Sequence, residues 1–540
     1  MDNKNGIYRV ILPLVIALAF AGGIWLGTSL NKNEGVSTAN QKLGAILNLI
    51  GNEYVEDVDL DSLVEQTLPD LLANLDPHSV YIPKSELQGV NDELEGSFSG
   101  IGVQFMINND TITIVEAISG GPSEKVGLQA GDRIVTVDGE NVAGVGITNE
   151  GVQKRLKGDK GSRVTLGIRR NTAKEVLEFE VIRGDVPVSM IDAAYMYNDH
   201  TGYIRVKRFG RTTYDEFFSA LLQLTSKGAD AFIIDLRGNA GGFMEMAVLM
   251  ANEFLEDGQL IVAQKGRGGK NDKAYFADGS GSFKYAQIVV LQDEYSASSS
   301  EIFAGAIQDN DRGLILGRRS FGKGLIQRQA DLPDSSAIRL TIARYYTPSG
   351  RCIQKDYSDA KNYENDIVER YNHGEAFEAD SIRQNKEDKY TTAHGRTVYG
   401  GGGVTPDIFV PLDTTGVTTY YLNVANAGLL NRFAFEYCDL NREQLKDMED
   451  PLKLLPDDET LIRSFANYAR QNGIAPRWYY IRLSQKLILS QIKALIARDT
   501  KGMQAYFEIV NVDDNAITAA VKEIEAGNAE YPIIGEEKEE

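Results

Sequence analysis

Residues 231–252 read AFIIDLRGNAGGFMEMAVLMAN, and this order of elements decides the class of fold. Phe232 to Leu236 is a short apolar, β-branched run, as a strand buried on both faces requires. Gly238 to Gly242 is a glycine-rich turn, and Met244 to Leu255 has the composition of a helix. The same order returns at Gln287-Ile288-Val289-Val290-Leu291, which leads through Tyr295-Ser296-Ala297 into another helix. Repeated strand–loop–helix units predict an α/β sheet. In such sheets reactive groups gather where strands end and helices begin. Two junctions therefore stand out, Asp235 to Gly242 and Ser296 to Glu301.

The rest of the chain divides around this core. Its 540 residues suggest three or four domains. Residues 36–97 carry helical apolar spacing, broken at Asp76-Pro77-His78-Ser79. Residues 98–183 alternate as short strands and form a mainly-β domain. Residues 184–415 hold the α/β core, and residues 416–540 read as helical. Within the core, residues 356–395 are charged and polar and are expected to form a surface insertion or mobile loop. The net charge of −21 argues against a nucleic acid partner, which needs a basic face. Two cysteines, Cys352 and Cys438, cannot build a disulfide framework or a four-thiolate zinc site. No metal and no cofactor are expected.

Residues 1–35 read as an anchor and tether. Val10 to Leu30 is an uncharged run, long enough as a helix to cross one hydrocarbon layer, and Lys4 and Arg9 precede it. The reading favoured is an uncleaved single-pass span of the cell inner membrane through residues 10–30, with the catalytic part extracytoplasmic (periplasmic). A cleaved signal peptide ending near Ala19-Phe20-Ala21 is the competing one.

The chemistry points to a serine without a histidine. Ser298 and Glu301 match a helix capping box, which alone could explain both residues. A serine nucleophile needs a base. The four histidines, His78, His200, His373 and His394, all fall outside the strand-to-helix junctions. Lys323 lies between glycines in GRRSFGKG (317–324) and is the alternative base. That stretch also approaches the phosphate-binding loop pattern, but Gly324 replaces the hydroxyl residue that would ligate magnesium.

DLRGNAGG (235–242), SASSSEIFAGAIQD (296–309) and GRRSFGKGLIQ (317–327) resemble signature blocks of the C-terminal processing, or tail-specific, serine proteases. LDPHSVYI (75–82), GIGV (100–103) and ARYYTPSGRCIQ (343–354) are similar to further blocks of that family. The resemblance runs from about residue 40 to about 412. It implies an α/β protease core of ClpP/crotonase-like βαβ units, with a PDZ domain over 98–183.

Carried over residue by residue, the resemblance makes Ser298 the nucleophile, Lys323 the general base and Gln327 the residue that orients it. The oxyanion hole would use the backbone amides of Ser299 and of Gly241 or Gly242. Gly100, Ile101, Gly102 and Val103 would bind a peptide terminus. Lys157 stands where relatives often have arginine. A neutral base requires Lys323 to be buried with no carboxylate paired to its amine. The function implied is a membrane-anchored serine endopeptidase cleaving near the C-terminus of proteins with flexible, apolar tails, with a homo-oligomer as a further expectation. The alternative is a non-catalytic PDZ scaffold that binds protein C-termini at the cell envelope.

Overall fold

The structure is a computed structural model and describes residues 34–171, 173–383, 385–446 and 448–533. It falls into two units, divided between Leu75 and Asp76. In the smaller unit, helices Glu34–Glu53 and Leu60–Ala73 are joined by a short link. Asp59 caps the second helix by accepting the Asp61 amide at 3.1 Å. The segment read as helical over 36–97 spans both units. Residues 76–97 belong to the larger unit, and Val80–Ile82 is a strand there.

The larger unit is built on a six-stranded sheet in the order Ile191–Met196, Thr201–Val206, Ala231–Asp235, Gln287–Gln292, Leu314–Gly317 and Ile408–Phe409. The first pair is antiparallel and the rest are parallel. Period-2 alternation sends its side chains into two cores. Phe232, Ile234, Ile288 and Val290 pack against helices Thr213–Ser226, Met244–Asn252 and Ser299–Asp309. Ala231, Ile233, Val289 and Leu291 pack on the other face against Ala516, Ile517, Ala520 and Ile524 of helix Asn515–Glu525. Each fully buried aliphatic side chain contributes about 1.5–3 kcal/mol. This explains why the central strands read as unbroken apolar runs.

The C-terminal region is helical, and its helices contribute to two cores. Helix Asn515–Glu525 covers one face of the six-stranded sheet. Helices Thr419–Asn426, Leu429–Leu440, Asp458–Gln471 and Trp478–Lys501 form a bundle with its own core around Phe465, Ile488 and Ile492.

A second sheet centres on the long strand Ala337–Tyr346, which pairs with Val80–Ile82, Leu260–Gly266 and Leu325–Asp331. Six antiparallel strands between Val103 and Ile182, with helix Asn149–Leu156, enclose the buried residues Ile112, Ile114, Ile134, Leu166 and Ile168. This domain touches the helical bundle. Arg133 Nη2 donates to Asp439 Oδ2 at 2.8 Å, and Asn171 Nδ2 donates to the same oxygen at 3.2 Å.

The expectation of a single-pass inner-membrane protein with a periplasmic catalytic part is corrected. Among the described residues no helix is long and apolar enough to cross a membrane, and residues 10–30 lie outside the described residues. The longest described helix, Trp478–Lys501, carries Arg482, Lys486, Lys493 and Arg498 along its length.

Candidate active site

A cleft of about 680 Å³ opens where the two sequence junctions meet, and Ser298, Lys323, Gln327, Gly241 and Gly242 all line it. No histidine lines it. His200, His373 and His394 face Asp230, Glu375 and Asp311 elsewhere.

The glycine turn is held from below. Asp235 is fully buried, and its carboxylate accepts hydrogen bonds from Tyr203, Arg205 and Arg237. Burial alone would raise its pKa, but the two guanidinium groups hold it well below the usual carboxylate range. Asn239 then stitches the glycine turn to the serine turn. Its carbonyl accepts the Ala297 amide at 3.0 Å and the Ser300 hydroxyl at 2.8 Å. Glycine is required here on steric grounds. A Cβ on Gly241 would lie 2.7 Å from Ser298 Cβ, and one on Gly242 would lie 2.1 Å from the Phe209 carbonyl oxygen.

The serine-rich turn sorts its own members. The hydroxyls of Ser296, Ser299 and Ser300 donate to the carbonyls of Leu236, Gly242 and Asn239. The Ser298 hydroxyl donates to no carbonyl or carboxylate among the described residues, and Ser298 faces the cleft. Ser298 also has φ 57° and ψ −114°, a conformation costly for a residue with a side chain, by about 1–3 kcal/mol. Such strain persists only where the surroundings impose it. Here the Ser298 amide is tied to Glu301 Oε2 at 2.9 Å.

Of the amides named for an oxyanion hole, that of Gly241 is already engaged. It donates to Asn239 Oδ1 at 2.9 Å. The amides of Gly242 and Ser299 have no protein acceptor among the described residues, and Ser299 opens a helix whose first amides are free. Both stand beside Ser298, the latter as its chain neighbour.

Lys323 sits in the loop leading to strand Leu325–Asp331 and is half-buried, less enclosed than expected. Burial holds its ammonium below the ordinary lysine value. The Arg339 cation adds to this, while Glu301 and Asp76 oppose it. Among the described residues no carboxylate pairs with the Lys323 amine. Gln327 lies on the strand, where its amide nitrogen donates to Thr341 Oγ1 at 3.2 Å, and Thr341 Oγ1 donates to Asp76 Oδ1 at 3.0 Å. In this arrangement Gln327 is held by Thr341 and lines the cleft.

Two residues carry more than the sequence reading gave them. Glu301, read as a helix cap, is fully buried and accepts from the Ser298 amide, the Ser320 hydroxyl (2.5 Å) and the amides of Gly322 (2.7 Å) and Lys323 (2.8 Å). Burial raises its pKa despite these bonds. The Tyr345 hydroxyl lies 2.8 Å from the Lys323 carbonyl and 3.1 Å from the Ser298 carbonyl, one proton serving both. Tyr345 falls in the block ARYYTPSGRCIQ, where its position was visible but its role was not.

In the strand-rich domain a second cleft, of about 690 Å³, runs between strand Val103–Asn108 and helix Asn149–Leu156. Ile101, Gly102 and Val103 line it together with Phe98, Phe105 and Leu156. Gly100 does not line it and instead bridges to Lys157.

Comparison with known proteins agrees with this architecture. Residues 200–367 match peptidase family S41, residues 99–181 match the PDZ domain, and residues 420–502 match a family of unknown function. The carboxy-terminal-processing protease of Bartonella bacilliformis is 33% identical over 355 residues, covering 64% of this chain and 80% of that protein. The chain belongs to peptidase family S41. The carboxy-terminal processing protease CtpB of Bacillus subtilis is 35% identical over 320 residues, 59% of this chain and 66% of the relative. The solved structure of the photosystem II D1 C-terminal processing protease shares 25% identity, covers 68% of this chain and 91% of that one, and superposes with a TM-score of 0.34. As an S41 member the chain is a serine-type peptidase with a PDZ domain, and a serine–lysine dyad is typical of its family.

Proposed function

We propose that this S41 peptidase cleaves protein substrates near their C-termini, with Ser298 as nucleophile and Lys323 as general base. The observation that carries the assignment is the sorting of the serines. Three hydroxyls at the helix start are committed to backbone carbonyls, while Ser298 faces the cleft that Lys323 also lines.

Neutral Lys323 Nζ takes the Ser298 hydroxyl proton as the oxygen attacks the scissile carbonyl. Charge on the carbonyl oxygen is met by the Gly242 and Ser299 amides. The ammonium then returns its proton to the leaving amine, and an acyl-enzyme remains. Lys323 next deprotonates a water, which attacks the ester and releases the new carboxylate and the serine. Gln327, held by Thr341, keeps the lysine turned toward the serine. A lysine at its reference pKa of about 10.4 is mostly charged near neutrality, so the partial burial of Lys323 supports the role.

The PDZ cleft lined by Ile101, Gly102 and Val103 is apolar enough to take an apolar tail as an added strand. A peptide substrate with a free apolar C-terminus tests both halves. Ser298→Ala and Lys323→Ala should each lower kcat by about 10³-fold or more. Amidating the peptide terminus should raise KM. Undiminished cleavage by either variant contradicts the dyad. Equal KM for the free and amidated peptides contradicts tail recognition.

A further inference from the structure

The loop 319–324 that carries Lys323 lies between strands and makes no sheet pairing, so its backbone groups need other partners. The amides of Ser320 to Gly324 are all matched. Ser320 donates to the Val404 carbonyl, Phe321 to the Ser296 carbonyl, Gly322 and Lys323 to Glu301, and Gly324 to Gln354 Oε1. On the carbonyl side, Gly322 accepts the Lys355 amide and Lys323 accepts the Tyr345 hydroxyl. The three remaining carbonyls before Lys323 converge on one side chain. Arg370 Nη1 donates to the Ser320 carbonyl at 2.8 Å and reaches the Arg319 carbonyl at 3.4 Å. Its Nη2 donates to the Phe321 carbonyl at 3.2 Å.

Arg370 comes from the charged stretch expected to be a surface insertion or mobile loop. That stretch instead forms helix Ala360–Asn372, capped by Asp359, with Tyr363 and Arg370 buried at helical spacing. Asp366, one turn before Arg370, pairs with its Nη2 at 2.9 Å and also with Lys355 Nζ at 2.9 Å. Lys355 in turn lies 3.8 Å from the centre of the Phe321 ring. Burying a guanidinium is expensive, and an apolar side chain would fill the space at less cost. The flat fork of arginine does what no apolar residue can, since it donates to several carbonyls at once.

We propose that Arg370 is a positioning residue, which fixes the loop carbonyls of Arg319, Ser320 and Phe321 and thereby aims Lys323 at Ser298. The inference rests on the serine–lysine reading of the site. It predicts a defect in the chemical step rather than in substrate capture, because Arg370 does not line the substrate cleft. Misplacing a catalytic group by about 1 Å costs on the order of 100-fold in rate.

The test measures kcat and KM with a peptide substrate for Arg370→Met, Arg370→Ala and Arg370→Lys. For Arg370→Met, kcat should fall by about 100-fold with KM within about threefold of the parent value. Arg370→Lys should fall between the two, and added guanidinium ion at millimolar concentration should restore part of the activity of Arg370→Ala. A folded Arg370→Met enzyme with kcat within about twofold of the parent overturns the proposal. If the Arg370 variants do not fold, Asp366→Asn decides, because it frees the guanidinium while keeping it. A kcat equal to the parent overturns the proposal, and a lowered kcat with unchanged KM supports it. Lys323→Ala is assayed beside them. An active Lys323→Ala enzyme removes the lysine reading itself, whereas an inactive one beside a fully active Arg370→Met removes the positioning role alone.

Discussion

Glu301 touches the backbone of Lys323 and not its amine: the carboxylate accepts the Lys323 amide at 2.8 Å. The same oxygen accepts the Ser298 amide at 2.9 Å, so one buried group ties together the loops that carry Ser298 and Lys323. Pairing with the amine would have held the base in its charged form. Glu301→Gln replaces one acceptor oxygen by a donor, which would face the Ser298 and Lys323 amides at one position or the Gly322 amide and Ser320 hydroxyl at the other. We expect a loss of about 2–4 kcal/mol in unfolding free energy and a fall in kcat larger than any change in KM. Chemical denaturation and steady-state kinetics check both. An enzyme with unchanged kcat would show that the site does not depend on this tie.

The pH profile follows from the state of Lys323. Burial first, and the Arg339 cation second, hold its pKa below the ordinary lysine value. In the proposed dyad Lys323 works when neutral, so kcat/KM should rise with pH through a limb that lies below the lysine range. Arg339→Gln removes the cation, so the folded pKa rises and the limb moves to higher pH. A limb that stays in place in Arg339→Gln would show that Arg339 does not tune the base.

Near the site, His78 accepts or donates a 2.6 Å hydrogen bond with the Tyr363 hydroxyl. Burial, followed by the charge of Lys323, pushes its pKa down from 6.5 to about 4. The folded pKa lies below the unfolded one, so the unfolded state binds the extra proton between these values. Stability is full above pH 6.5 and falls as the pH drops toward about 4. The urea midpoint should therefore drop between pH 7 and pH 5, and His78→Gln should flatten that drop. An equally steep drop in His78→Gln would place the effect elsewhere.

The contact between the PDZ domain and the helical bundle is small and specific. Asp439 is largely buried and accepts from Arg133 and Asn171 of the PDZ domain. Asp439→Ala removes both bonds, a loss of about 1–2 kcal/mol at that face. Amide exchange around residues 131–133 and 170–171 should speed up, while the exchange of bundle helix Trp478–Lys501 stays as it was. Unchanged exchange at the PDZ face would mean that other contacts hold the domain.

Much of this molecule was legible in the sequence because period-2 burial writes itself into composition. Phe232 to Leu236 and Ile288 to Leu291 are buried on both faces, and their apolar runs marked them as strands of an α/β sheet. Motif order named Ser298, Lys323, Gly241 and Gly242, which the fold brings to one cleft, and only the fold shows the Gly241 amide bound to Asn239. The helix Asn515–Glu525 was read as part of a helical domain, since amphipathic spacing does not say which surface a helix covers. Arg370 was hidden for a different reason. A charged residue in a charged stretch reads as solvated surface, and only the fold shows that three loop carbonyls surround it.

The central claim is that one serine out of four at the helix start is activated, and that Lys323 activates it. A fluorophosphonate reagent followed by peptide mapping tests this directly. The label should fall on Ser298 and on none of Ser296, Ser299 or Ser300, and Lys323→Ala should slow its attachment by about 100-fold or more. A label on another serine, or an attachment rate indifferent to Lys323→Ala, would contradict the account.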